Sequence, residues 1–205
     1  FYFIFNMDLP TEEECLQYFE EFKVPRNIKE HCIAVRDVAV FLAKELKKSE
    51  VAVNIGLVST IAVLHDLFKP VAIINFKPYP GITITADQLN LWADLRKKYS
   101  GKYENEIAYD FFKDKFPLLA VSLRDACDPE HREKTWEEKI VHYIDWRISE
   151  ERIISLIERM NILEKRYPHE KRWNVFREIA ISIEEEIFSK LDFTPGRLGE
   201  RMKNE

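Results

Sequence analysis

Apolar residues recur at steps of four and three from Ile28 through Cys32, Val35, Ala39, Leu42 and Leu46. This is the period of one helix face, and it predicts a long amphipathic helix capped by Asn27 and running to about residue 48. A shorter helix precedes it. Thr11 caps an acidic first turn of Glu12, Glu13 and Glu14, and Cys15, Leu16, Phe19 and Phe22 form its stripe. From Val51 to Phe68 the pattern changes to apolar nearly all round, which reads as a buried central helix. Asn54, Gly56, Ser59 and Thr60 interrupt it too often for a convincing membrane span. Pro70 should force Lys69 out of helical geometry and leave His65-Asp66 in the last turn.

Residues 71–85 are the least helical part and predict a loop or small hairpin, with a turn at Tyr79-Pro80-Gly81. Thr85 then caps a helix through Leu89, Leu91, Trp92 and Leu95, whose Arg96-Lys97-Lys98 end reads as a solvated, dipole-compensating terminus. Further helices are expected at about 103–114, 117–127, 135–149, 150–165 (or a bent continuation of the previous one) and 168–191, followed by a polar tail after Thr194-Pro195-Gly196. There is no internal repeat, low-complexity tract or linker. The expectation is an all-α fold in one domain over 1–205. Its motif-bearing core spans about 25–150, helices at about 150–192 pack on it, and an irregular insertion follows the central helix.

The 205 residues suffice for a sizeable core, and 46% hydrophobic with 33% charged residues describes a globular chain rather than a disordered one. The net charge of -5 argues against a broad nucleic-acid face, while a local basic pocket for phosphate stays open. Three scattered cysteines, Cys15, Cys32 and Cys127, form no Cys-x-x-Cys pair, so neither a disulfide framework nor a zinc-thiolate site is expected, and a reducing cytoplasm fits best. Met7-Asp8-Leu9-Pro10 reads as a more natural start than Phe1, and residues 1–6 carry no functional weight.

The chemistry sits where polar residues interrupt apolar faces. His31 shares the inward face of Ile28 and Val35, His65-Asp66 ends the most apolar run of the chain, and Asp145 lies between Val141 and Ile148 on another inward face. A carboxylate in such a setting loses hydration and needs a cation or several donors. Two imidazoles and two carboxylates form a borderline ligand set, suited to one divalent Mn, Fe, Co, Ni or Zn ion and tolerable for Mg. A metal there would leave positions for water and substrate and would polarise a phosphoryl oxygen. The competing reading is a core histidine at His31 and a buried ion pair of Asp66 with Lys69.

These stretches, Ile28-x-x-His31-x-x-x-Val35, Ala62-Val63-Leu64-His65-Asp66-Leu67-Phe68-Lys69 and Lys139-Ile140-Val141-His142-Tyr143-Ile144-Asp145-Trp146-Arg147, resemble the HD-domain metal-dependent phosphohydrolases in residue order and spacing. The resemblance spans about 28–149. It implies an HD-type helical bundle, one metal held by His31, His65, Asp66 and Asp145, and hydrolysis of a phosphate ester or anhydride, usually in a nucleotide. It also implies that Lys69 holds substrate phosphate or pairs with a site carboxylate, with Arg147 a candidate for either job. Relatives with two metals carry extra histidines between the His-Asp pair and the last Asp. Here that interval offers only His131, in a polar Pro-Glu-His-Arg setting, so a one-metal site is expected. Glu104, Glu106 or Asp125 would then be the general base, with Asp66, Lys69, Glu104 and Arg147 as the catalytic set.

His142 and His169 read as surface or packing residues, the cysteines as packing residues, and Phe76 or Tyr79 as candidates to stack a base. The expected partner is a small phosphorylated compound, with no membrane, no nucleic acid, and a homo-oligomer left open. The alternative reading is a degenerate relative that keeps the fold as a nucleotide-binding or interaction module. A nuclease is less favoured on charge.

Overall fold

The computed structural model describes residues 8–73 and 81–204. The expectations for residues 1–6, Phe76 and Tyr79 lie outside these. The fold is all-α, with one minimal two-stranded hairpin. Helix α1 (Glu12–Glu21) opens with the capping box of Thr11 and Glu14. Helix α2 (Arg26–Lys48) is the spine, burying Ile28, Cys32, Val35, Ala39, Leu42 and Leu46 along one face. It starts two residues earlier than expected, after Pro25. The Asn27 side chain makes no cap, and its Oδ1 is buried without a partner.

Helix α3 (Ile55–Leu64) packs along α2 and is shorter than the apolar run predicted. Asn54 delays its start by capping the Leu57 amide at 3.1 Å. Its end falls before the His-Asp pair, so His65 and Asp66 occupy the turn beyond the helix. Lys69 is helical after all, as the first residue of α4 (Lys69–Ala72), with Pro70 at a position whose missing N–H costs nothing. The 18-residue stretch Ile55–Ala72 is apolar enough to cross a membrane by length and composition, yet 72% of it is buried inside the fold.

Helix α5 (Ala86–Lys98) carries the Thr85 capping box. Its Arg96 is no solvated end: the guanidinium donates to the carbonyls of Val71 at 2.8 Å and Pro70 at 3.1 Å, satisfying the end of α4. Gly101 turns the chain with φ near 81°, and α6 (Glu104–Phe112) and α7 (Pro117–Cys127) pack as a pair. Helix α8 (Trp136–Asp145) lies against α2, α3 and α7, so Ile140, Val141 and Ile144 complete the core.

After Asp145 the prediction of continued helix fails. The strands β1 (Ile148–Ser149) and β2 (Arg152–Ile153) form a hairpin around Glu150, whose φ is 58°. The cause is Arg147, which is buried. Its own carbonyl accepts from Ile154 N–H at 2.8 Å, and its guanidinium donates to the carbonyls of Ile154 and Pro195, the Tyr143 hydroxyl and Glu184. Helices α9 (Leu156–Arg166) and α10 (Trp173–Phe188) follow, and the supposed polar tail folds back. A 3₁₀ turn at Pro195–Arg197 leads into α11 (Leu198–Lys203), with Phe193 and Leu198 buried.

Arg147 therefore joins the end of α8 to the hairpin, α10 and the C-terminal turn. Arg147→Met is expected to cost on the order of 3 kcal/mol in urea unfolding, because it leaves buried acceptors and the Glu184 charge without their donor. Lysine should not restore the loss, since one ammonium cannot span four acceptors.

Candidate metal centre

The long register of α2 carries His31 to the point where α3 ends and α8 ends. There His31 Nε2 lies 2.9 Å from Asp145 Oδ1 and 3.9 Å from Asp66 Oδ2. His65 Nε2 lies 3.5 Å from Asp145 Oδ1 and 3.7 Å from Asp66 Oδ2. The donor atoms of His31, His65 and Asp66 all fall within 4.8 Å of one another. Thus His31, His65 and Asp66, from two separated stretches, converge, and Asp145 from a third lies beside both imidazoles.

Each ligand is oriented. His65 Nδ1 donates to the Ala62 carbonyl at 2.7 Å, which fixes the ring and leaves Nε2 facing the carboxylates. Nε2 is buried and has no hydrogen-bond partner. Asp66 accepts from Lys69 Nζ at 2.5 Å. That pair bears out the ion-pair reading of Asp66 with Lys69 without exhausting the carboxylate, which has a second oxygen and two imidazole neighbours.

Burial works against every charge in the cluster, and the groups compensate one another. It pulls the His65 pKa down, but the Asp66 carboxylate, the Cys32 contact and the nearby Asp145 carboxylate raise it well above the ordinary value. It pushes Asp145 up, yet the His31 hydrogen bond and the nearby His65 imidazole hold that carboxyl well below its usual range. Asp66 is likewise pushed up by burial and brought below its usual range by Lys69 and His65. A proton on His65 does here what a cation would do. The donor set fits a divalent ion: two neutral-capable imidazoles, two ionised carboxylates and an orphaned ring nitrogen facing them.

A pocket of about 70 Å³ opens beside the cluster, and Asp66, Lys69, Glu104 and Asp145 are among its lining residues. Glu104, at the first turn of α6, has its carboxyl pushed up to about 7 by burial and by the nearby Asp66 charge. Lys69 stays firmly protonated: burial lowers its pKa, but Asp66 and Glu104 more than reverse that. Arg147 is the predicted site residue that the fold takes away. It does not line the pocket, and its donors are spent on the hairpin and C-terminal turn. Glu106 closes the α6 capping box through the Tyr103 amide, and Asp125 pairs with Arg124 at 2.7 Å, so Glu104 alone of the three candidate bases reaches the pocket.

The sequence reading missed His142. It is buried, lines the pocket, stacks on Trp146 with centroids 5.4 Å apart, and donates from Nδ1 to the Ala126 carbonyl at 3.0 Å. The available signal was its position three residues before Asp145 on the same helix, which puts both on one face. Lys134 braces this wall by donating to the carbonyls of Asp125 and Asp128 at the end of α7. No family model, curated protein or solved structure matches the chain. What the site can do has to be read from its own atoms.

Burial and the Lys134 charge push His142 from its ordinary value of 6.5 down to about 4. Between those values the unfolded chain binds a proton that the folded chain does not, so this group makes stability fall as the pH drops from 6.5 to 4. The loss should reach up to about 3 kcal/mol. In His142→Asn that acid limb should flatten, as checked by urea unfolding across the range.

Proposed function

We propose that this protein is a metal-dependent phosphohydrolase of the HD type, acting on a nucleotide or a similar small phosphate ester. One observation carries the proposal: the nitrogen and oxygen donors of His31, His65 and Asp66 lie within 4.8 Å of one another, with Asp145 Oδ1 2.9 and 3.5 Å from the two imidazoles. The ordered resemblance of the same residues to the HD pattern supports it independently. His31, His65, Asp66 and Asp145 would hold the ion, one of Mn, Co, Ni, Fe, Zn or Mg. When bound, such an ion supplies Lewis acidity to a phosphoryl oxygen and lowers the pKa of a water.

The chain's own groups supply the rest. Lys69 keeps a fixed positive charge at the pocket, against which a phosphoryl oxygen can rest. Glu104, with a carboxyl near 7, can accept a proton from an attacking water or return one to a leaving oxygen at neutral pH. The pocket of about 70 Å³ has room for several waters at roughly 10–15 Å³ each, or for one phosphoryl group, and not for a nucleoside. The remainder of the substrate would lie outside it.

Elemental analysis of the purified protein should find a divalent metal, and a phosphatase screen across nucleotides with Mn, Co, Ni and Mg should find turnover. Asp66→Ala is expected to lose both metal and activity. Full turnover after complete metal loss would rule the reading out. Glu104→Gln should keep the metal while kcat falls by about 10²–10⁴, the usual contribution of a general acid–base group.

A further inference from the structure

Three contacts of the cluster end on a single oxygen. Asp66 Oδ2 lies 3.9 Å from His31 Nε2, 3.7 Å from His65 Nε2 and 2.5 Å from Lys69 Nζ. It is the oxygen of Asp66 that faces the imidazoles, and so the one that an ion held between them would take. The lysine ammonium sits on that same oxygen. The Asp66 side chain is 5% exposed and the Lys69 side chain 30%. The carboxylate is thus fixed in the core, while the ammonium, on a flexible four-carbon stem at the pocket, is the partner with room to move.

A cation seated on a ligand oxygen opposes a second cation there, and in a buried site salt and water screen the repulsion little. Resting on the phosphohydrolase reading and its metal, we infer that Lys69 is a built-in competitor for the divalent ion, and that an oxyanion in the pocket relieves the competition. Among the described residues that line the pocket, Lys69 is the only lysine or arginine, so an entering anion meets this ammonium. Drawn toward the anion, the ammonium gives up Asp66 Oδ2 to the metal. Metal and oxyanion then each bind better in the presence of the other, by the same factor. The ion is held loosely without a phosphoryl group and tightly with one.

A lysine that merely orients Asp66 would act with the opposite sign. Removing an orienting group weakens metal binding. Removing a competitor strengthens it, the more so because the carboxylate is left buried and unpaired until the ion arrives.

The affinity can be measured on full-length protein loaded with Co²⁺ and equilibrated against graded nitrilotriacetate, with retained cobalt read by elemental analysis. Lys69→Met, which keeps the bulk of the side chain without its charge, should hold Co²⁺ roughly tenfold tighter than the wild type, or more. Inorganic phosphate at constant ionic strength should tighten Co²⁺ on the wild type by roughly five- to hundredfold. On Lys69→Met the phosphate effect should shrink, because only direct contact between phosphate and ion remains.

Equal or weaker retention of Co²⁺ by a folded Lys69→Met, a phosphate effect undiminished in that variant, or none on the wild type overturns the inference and leaves the phosphohydrolase reading standing. Failure of the wild type to hold Co²⁺ without chelator overturns both. The phosphate comparison on the wild type needs no variant, and thermal unfolding checks that Lys69→Met folds.

Discussion

Two carboxylates meet two imidazoles inside a helical core, and the rest of the molecule is arranged so that this can happen. Asp66 is buried and Asp145 is largely so, and neither could stay ionised there alone. Each is held ionised by the other members of the cluster, with Lys69 on Asp66 and His31 on Asp145. One ring nitrogen of the cluster, His65 Nε2, is buried without a hydrogen-bond partner. A cluster whose charges balance only through a proton on a ring nitrogen is a cluster that a divalent cation can enter, displacing that proton.

The scaffold that delivers these groups is simple in principle. Helix α2 runs the length of the core and presents His31 to the ends of α3 and α8. The decisive local event is the stop after Leu64. It places His65 at the helix C-cap and Asp66 in the turn that follows, at the junction with α4. Arg147 makes the corresponding stop after Asp145 by drawing the hairpin and the C-terminal turn onto the end of α8. It is better placed to hold Asp145 in position than to touch a phosphate.

Around the cluster, the α7–α8 side acts as a second wall. Lys134 satisfies the carbonyls at the end of α7, the Ala126 carbonyl sets the tautomer of His142, and Trp146 sets its plane.

The period of the apolar residues was enough to place α1, α2, α5, α7 and α10 and to assign an all-α fold, because helical spacing and capping boxes are local properties. The four candidate ligands were legible for a related reason. A histidine or carboxylate on an apolar helix face contradicts its surroundings, and that contradiction is written in the sequence. Other features depended on partners distant in the chain. Arg147 beside Asp145 looked like a site residue until Ile154, Glu184 and Pro195 claimed its donors. His142 read as surface or packing; Ala126 and Trp146 fix its ring, and Nε2 is left buried and unpaired beside the site. Glu104 could be separated from Glu106 and Asp125 only once α6 was docked. Sequence pattern determines which side chains must be inside, because burial follows from period. Which of their polar atoms are spent on structure and which are left over is decided by contacts between elements, and those exist only in the folded chain.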